Sequence, residues 1–366
     1  MAEVAKKPSK LATELRYLRA KPSAEQREQS TQDILKMKLG VKRTSRFQLG
    51  ESAKAWIALI PAMFFLIVFM IYPILNTFIM SFMENFTFVG GSGSSFAITN
   101  YIAALNNPRT TDPSLGLGNY LSVLKDSEFQ QSLLNTALMV IVSVPLTILI
   151  ALLLAVVLNS IKPLRSFFQT VFFLPYVTNT IALGMVFRVI FSSSGGGLFN
   201  TMLGWFGLSP QAWLTASANR WNMFFVIVVY AIWNGLAFKI LVFQSGLASI
   251  DKQYYDAAKI DGANRATIFR RITVPLLSPE LLYITITSFI GSFKAYTQVI
   301  SLYGGGAYNF GGSTGKEWET VVGYIYSVMQ DPSKVGRAAA GSFVLLAIIL
   351  LITLVQMVVS KRRVHF

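Results

Sequence analysis

The residues of this chain that could take part in chemistry are few, and most sit where polar groups are expensive. There is one histidine, His365, beside the C-terminus, and no cysteine. That leaves no His-based catalytic or metal cluster, no disulfide, and no Cys-ligated zinc or iron–sulfur centre. What stands out is a set of polar and aromatic side chains inside long apolar stretches. Trp233, Asn234 and Lys239 lie in one, and Lys294, Tyr296 and Gln298 lie in another. Charges at membrane depth are costly and often line a path for a solute. A passage for a polar solute needs a few hydrogen-bonding groups, with aromatic faces for whatever apolar surface the solute has, and Trp233, Asn234, Lys294, Tyr296 and Gln298 supply that mixture. The two lysines would gain meaning if the solute were anionic. The competing explanation is structural pairing or snorkelling of the lysines, with the aromatics simply packing or anchoring. Arg188 and Glu280, near the ends of their stretches, read as snorkelling groups.

The elements that must position these groups are helices in a bilayer. The chain has 366 residues, of which 53% are hydrophobic and only 13% charged, with a mean hydropathy of +0.51. Soluble domains carry roughly 25% charged residues, so an all-α polytopic membrane protein is expected. Apolar runs near or above the ~20 residues needed to cross the hydrocarbon lie at Trp56–Phe82, Leu133–Leu158, Thr170–Phe191, Met223–Leu247, Pro279–Ile300 and Ala338–Val359. Pro61, Pro73, Pro145 and Pro175 fall within or at the edges of these runs, as packed membrane helices tolerate. For the fifth span, Ser278 is the expected N-cap, with Pro279 at the first helical position.

The net charge of +15 does not point to nucleic acid, because Lys and Arg lie between or outside the runs. The N-terminal tail, Lys162 with Arg165, the group Lys252, Lys259, Arg265, Arg270 and Arg271, and Lys361-Arg362-Arg363 all fall on one face if the spans alternate. That face should be the cytoplasm, with both termini inside a multi-pass cell-membrane protein. Residues 1–55 then form a basic cytoplasmic tail, 56–360 the transmembrane domain and 361–366 a cytoplasmic C-terminus. Within the tail, Leu11, Leu15 and Leu18 share a helical spacing that would suit a helix lying on anionic lipid. A mostly disordered topogenic tail is the preferred reading, and no cleavable signal peptide is expected. The outer segments carry turn chemistry, at Gly90–Gly93, Asn106-Asn107-Pro108 and Gly304–Gly315. Gly315-Lys316 has only a superficial likeness to a phosphate-binding loop. Phe310 stands where the first Gly belongs and Glu317 replaces Ser or Thr, so this chain is not expected to bind nucleotide.

One polar interruption late in the chain also looks helical: Tyr254–Pro275, YYDAAKIDGANRATIFRRITVP. Asp256-Ala257-Ala258 and Lys259-Ile260 suit a short helix. Asp261-Gly262 breaks it, because Gly accepts positive φ without steric penalty. A second helix should run from Ala263 to about Ile272, with Phe269 and Ile272 on one face, and Pro275 should end it. Two short helices with an apolar face make a plug for a groove on a partner, and Phe269 is the residue expected to fill it.

The same residues resemble the EAA loop of ABC-importer membrane subunits, which has Glu-Ala-Ala, then Asp-Gly-Ala, a Phe and a closing Pro at set spacing. Here they are Asp256-Ala257-Ala258, Asp261-Gly262-Ala263, Phe269 and Pro275, within a loop spanning 250–278. The one departure is Asp for Glu at 256, which keeps the charge and shortens the reach. Over roughly residues 56–366 the chain is similar to carbohydrate-type importer subunits, in particular those of the maltose and sugar/glycerol-phosphate importers. Asn135-Thr136, Phe172-Phe173-Leu174-Pro175, Gly197 with Asn200, and Gly336-Arg337-Ala338-Ala339-Ala340 carry that likeness.

The resemblance implies the six-helix, type I ABC-importer transmembrane fold and a carbohydrate substrate reached within the third to fifth spans. It implies a second related permease subunit, two cytoplasmic ATPase subunits holding ATP and Mg, and an extracytoplasmic substrate-binding protein. This chain would then be a transport subunit with no cofactor of its own, whose loop couples ATPase closure to the spans. The rivals are a secondary transporter and a channel-type protein. The first normally needs an intramembrane carboxylate for ion coupling, and the spans contain no central Asp or Glu; neither rival accounts for the loop.

Overall fold

The computed structural model of the chain describes residues 28–29, 32, 51–85, 114–161, 165–193, 196–215, 217–303 and 317–360. Nearly all of the basic tail, Lys162, the turns at Gly90–Gly93 and Asn106–Pro108, Gly315-Lys316, Lys361–Arg363 and His365 lie outside the described residues. The chain divides into two units, Met1–Phe69 and Met70–Phe366. In the first, helix α1 (Glu51–Leu66) exposes its large apolar side chains on every side, Trp56, Ile60 and Phe65 among them. A helix that is apolar all round has no aqueous face to present and suits lipid.

The second unit is built from α2 (Tyr72–Ser81), α3 (Gly118–Lys125) and α4 (Ser127–Ser160). These are followed by α5 (Arg165–Val177), α6 (Thr180–Ile190), α7 (Leu198–Trp205) and α8 (Arg220–Ser249). The two-helix loop comes next, made of α9 to α11 and described below, and it leads into α12 (Ser278–Phe293). The unit closes with α13 (Thr297–Tyr303), α14 (Val321–Met329) and α15 (Val335–Ser360). A two-residue antiparallel ribbon pairs Met83 with Leu115 and Glu84 with Ser114.

Among the described residues, four helices are long and apolar enough to cross a membrane: Ala55–Ser81, Ser127–Ser160, Arg220–Ser249 and Pro332–Ser360. Two bent helix pairs bring the total up to six if each pair is one span. The third expected span is therefore broken rather than continuous, with Phe167–Val177 and Thr180–Ile190 meeting at 103°. Pro175 removes a backbone donor just ahead of the break. Asn179 then caps a new helix, accepting from the amide of Ile181 at 2.8 Å. The buried Tyr230 hydroxyl donates to the Thr180 carbonyl at 2.9 Å and pins that new start against α8.

The fifth span is shorter than expected: its helix ends at Phe293, not Ile300, and α13 follows as a separate piece. Its N-cap is Leu277 rather than Ser278, which lies inside the first turn. The chain turns by 66° at Leu277, just before Pro279, whose missing N–H suits a first turn.

The core lies where α4 and α8 pack along each other and α12 lies against α4, while α15 packs on α2, α3, α12 and α14. At the end where α4 and α15 begin, polar side chains stitch the segments together. Asn135 donates to the carbonyls of Glu317 at 2.9 Å and Glu319 at 3.2 Å, and accepts from Arg220 at 2.7 Å. The Trp318 indole donates to the Arg220 carbonyl at 2.8 Å, while the Arg220 guanidinium lies 4.8 Å over its ring. Thr136 accepts from the amide of Val321 at 3.0 Å. Asn200 holds the neighbouring segment through Trp213 at 2.8 Å and the Gln211 amide at 3.1 Å. A Cβ at Gly336 would lie 2.7 Å from the Met83 carbonyl oxygen, so α15 can approach there only with glycine.

Candidate functional site

Halfway along α8 a cavity of about 280 Å³ opens between α4, α8, α12 and α13. Asn234 and Lys239 reach it from α8, and Gln298 from α13. These are three of the six residues singled out in the sequence. The other three are placed elsewhere. Trp233 packs its ring 5.5 Å from Phe187, and Tyr296 lies 5.1 Å from Tyr326. Lys294 is the exposed C-cap of α12, so it occupies a break between helices rather than the interior of a span.

The cavity also uses residues that composition did not flag. Ser143 and Thr147 face it from α4, and Thr287, Ser288, Gly291 and Ser292 face it from α12. Both sets repeat at three or four residues, the spacing that puts side chains on one helix face. That small-residue and hydroxyl face was legible in the sequence. Tyr176, at the end of α5, stacks 6.1 Å from Phe238 at an interplanar angle of 19°, and both rings line the cavity. The site thus offers neutral donors and acceptors, one ammonium group and an aromatic wall, with no carboxylate among its lining residues. Such a lining can hold a polyhydroxylated solute by hydrogen bonds and ring contact.

The Lys239 ammonium donates to the Gly235 carbonyl at 3.1 Å. Because a Cβ at 235 would lie 3.1 Å from that nitrogen, glycine there leaves the amine room to fold back along the helix. The side chain therefore does not snorkel toward the nearer end of α8.

That end leads into the two-helix loop. Helix α9 (Lys252–Ile260) starts earlier than Asp256, because the Asp251 carboxylate caps it through the Gln253 amide at 2.9 Å. It ends at Gly262, where φ is +73°. The Gly262 amide donates to Lys259 and the Ala263 amide to Ala258, at 3.0 and 2.9 Å. This pair of bonds is the Schellman closure, whose left-handed residue favours glycine. Asp256 pairs with Lys259 at 3.0 Å in open solvent, a contact of little energetic weight. Ala257 and Asp261 are exposed and Ala258 is buried.

The second helix begins at α10 (Arg265–Ile268), capped by Asn264 through the Thr267 amide at 2.8 Å. It widens into a π turn over Phe269–Thr273 and continues as α11 (Val274–Leu276) up to α12 (Ser278–Phe293). Pro275 therefore does not end the helix; it occupies the first turn after the π segment, where its missing donor is harmless. Nor do Phe269 and Ile272 line one surface. Phe269 borders a cleft of about 420 Å³ against the ends of α4 and α8, and Ile272 borders another beside Ala257. Phe269 is half-buried and packs on the core cluster around Leu247 and Leu277. Among the described residues the most exposed apolar side chain of the loop is Ile260, 86% exposed at the last position of α9.

This arrangement has recognisable relatives. Residues 143–365 match the family described as binding-protein-dependent transport system inner membrane component. The arabinooligosaccharides transport system permease protein AraP of Bacillus subtilis is 33% identical over 318 residues, 85% of this chain and 90% of that protein. The trehalose/maltose transport system permease protein MalF of Thermococcus litoralis is 29% identical over 87% of this chain and 98% of its own length. In three dimensions the chain superposes with TM-score 0.68 on a bacterial alginate ABC transporter, crystallised with an alginate pentasaccharide-bound periplasmic protein. The two chains are 20% identical, and the match covers 84% of this one and 94% of the other. The fold is that of an ABC-importer permease, and the chain belongs to the family of inner membrane components of binding-protein-dependent transport systems.

Proposed function

We propose that this chain translocates a carbohydrate through the cavity at Asn234, Lys239 and Gln298, and that the loop at Asp256–Pro275 couples that step to ATP. Permeases named for arabinooligosaccharides and for trehalose/maltose among its relatives support the substrate class. The working assembly adds a second related permease, two cytoplasmic ATPase subunits that hold ATP and Mg, and a substrate-binding protein on the outer side. Both termini and the loop face the cytoplasm, in keeping with the Lys and Arg distribution.

One observation carries the reading. The loop directly joins α8 and α12, and these two helices bear Asn234, Lys239, Thr287 and Ser288 of the cavity. A displacement of the loop is therefore passed to two walls of the site, and it acts only if the two global states differ in their contacts with the loop. Ile260 is the apolar anchor offered to the ATPase, Asp256 the charged contact, and Gly262 sets the angle between the loop helices. Phe269 seats the loop on its own core.

The test is the stimulation of ATP hydrolysis by loaded binding protein in the reconstituted complex, with ATPase co-purification scored alongside. Ile260→Asp and Gly262→Val are each expected to lower stimulation about tenfold or more, as losing a buried interface anchor of at least 2 kcal/mol does. Membrane insertion stays intact. Wild-type assembly and stimulation in both variants would remove the loop from the coupling step.

A further inference from the structure

We infer that the cavity is built for an anionic carbohydrate, whose carboxylate or phosphate meets the Lys239 ammonium while its hydroxyls meet the neutral groups around it. The inference rests on the cavity being the substrate path and goes further by naming the charge of what passes.

Three observations lead there. Lys239 lies well inside α8, roughly ten residues or about 15 Å before the helix ends at Ser249. A lysine at that depth relieves its charge most simply by stretching toward the nearer interface. This one does the opposite: its ammonium turns back to the Gly235 carbonyl, into room that a glycine leaves open. Secondly, no carboxylate lines the cavity, and among the described residues Lys239 forms no ion pair on its own chain. A single carbonyl satisfies one of its three donors and none of its charge. Thirdly, the rest of the polar lining is neutral and already suited to sugar hydroxyls, with Asn234, Gln298, Ser143 and Thr147 present. A neutral sugar would need nothing more than such groups. An unpaired ammonium at membrane depth is a standing penalty that an arriving anion relieves, so it favours charged over neutral solutes. Tyr176 and Phe238 supply the flat apolar surface that a sugar ring accepts.

The absence of cysteine makes the test clean, because a single thiol can be placed in the cavity without background on this chain. Ser292→Cys is introduced into the assembled complex in membranes. Its labelling is followed with two methanethiosulfonates of similar size, one carrying a sulfonate and one a trimethylammonium group. The anionic reagent is expected to react faster, and the ratio of anionic to cationic rates should fall about tenfold or more in Lys239→Met and Lys239→Gln. Lys239→Arg should keep it. With a neutral methanethiosulfonate at fixed ionic strength, sodium glucuronate should slow labelling more than glucose does.

A rate ratio indifferent to Lys239 overturns the inference while leaving the cavity as the substrate path. That outcome includes the case in which a carboxylate of the second permease subunit neutralises the lysine. Equal effects of glucuronate and glucose, or none from either, also overturn it. If no reagent reaches Ser292→Cys, the cavity is closed to water and the substrate-path reading itself fails.

Discussion

Asp126 accepts hydrogen bonds from the Tyr324 hydroxyl and the Arg337 guanidinium, and from the Glu128 amide at 2.9 Å. One carboxylate thereby ties the starts of α4 and α15 to α14. Burial alone would raise its pKa. The bonds from Tyr324 and Glu128 and the charge of Arg337 outweigh that, and the carboxyl sits below its ordinary 3.8. A depressed folded pKa means that the stabilisation is complete above the unfolded value and is lost as pH falls through the folded one. Asp126→Asn should therefore lower the melting temperature of the detergent-solubilised protein at pH 7. About 3 kcal/mol is the scale for leaving a largely buried Arg unpaired. The gap from wild type should narrow as the pH drops below 3.8. A gap that stays constant down to pH 2 would take the carboxylate's charge out of the account. Arg337 was legible only as part of a Gly-Arg-Ala-Ala-Ala likeness; its partner lies 211 residues away.

Between the elements, α6 and α13 approach closely at Gly184. A Cβ at Gly184 would fall 2.1 Å from the Ser301 hydroxyl oxygen and 2.9 Å from the Ser301 backbone carbon. Because that neighbour is partly backbone, it cannot swing aside. Gly184→Val is expected to cost about 1–3 kcal/mol through overpacking. It should also move α13, the helix that carries Gln298 into the cavity. Thermal unfolding and uptake by the reconstituted complex should fall together. Normal values for both would mean that α13 seats equally well without the close contact. The apolar runs that make these elements stand out by length and hydropathy, but their breaks do not. Pro61 and Pro145 lie inside continuous helices, whereas Pro175 precedes a 103° turn. Whether a proline bends, breaks or is absorbed depends on who satisfies the freed carbonyls, and that is decided by neighbouring helices.

At the scale of the molecule, the charge distribution predicts which ends of the spans share a side. With no native cysteine on the chain, Ser160→Cys and Thr267→Cys should be shielded from an impermeant thiol reagent in intact cells. Ser217→Cys and Ser333→Cys should label at least about tenfold faster, as the positive-inside pattern requires. Labelling of Thr267→Cys from outside would invert the topology. The sequence alone determined the class of the chain, the approximate spans and the loop, because length, hydropathy and a positive-φ glycine are local properties. It also determined that Gly262 must close a helix: a left-handed residue leaves its mark in residue type. Only the tertiary structure decided which polar groups converge. Asn234, Lys239 and Gln298 meet in one cavity while Trp233, Lys294 and Tyr296 do not. It also put Phe269 against its own core and left Ile260 outside. Position along a helix fixes depth and face, but a shared cavity depends on how α4, α8, α12 and α13 rotate and cross. Those rotations come from close contacts between residues far apart in the chain, and no local pattern records them.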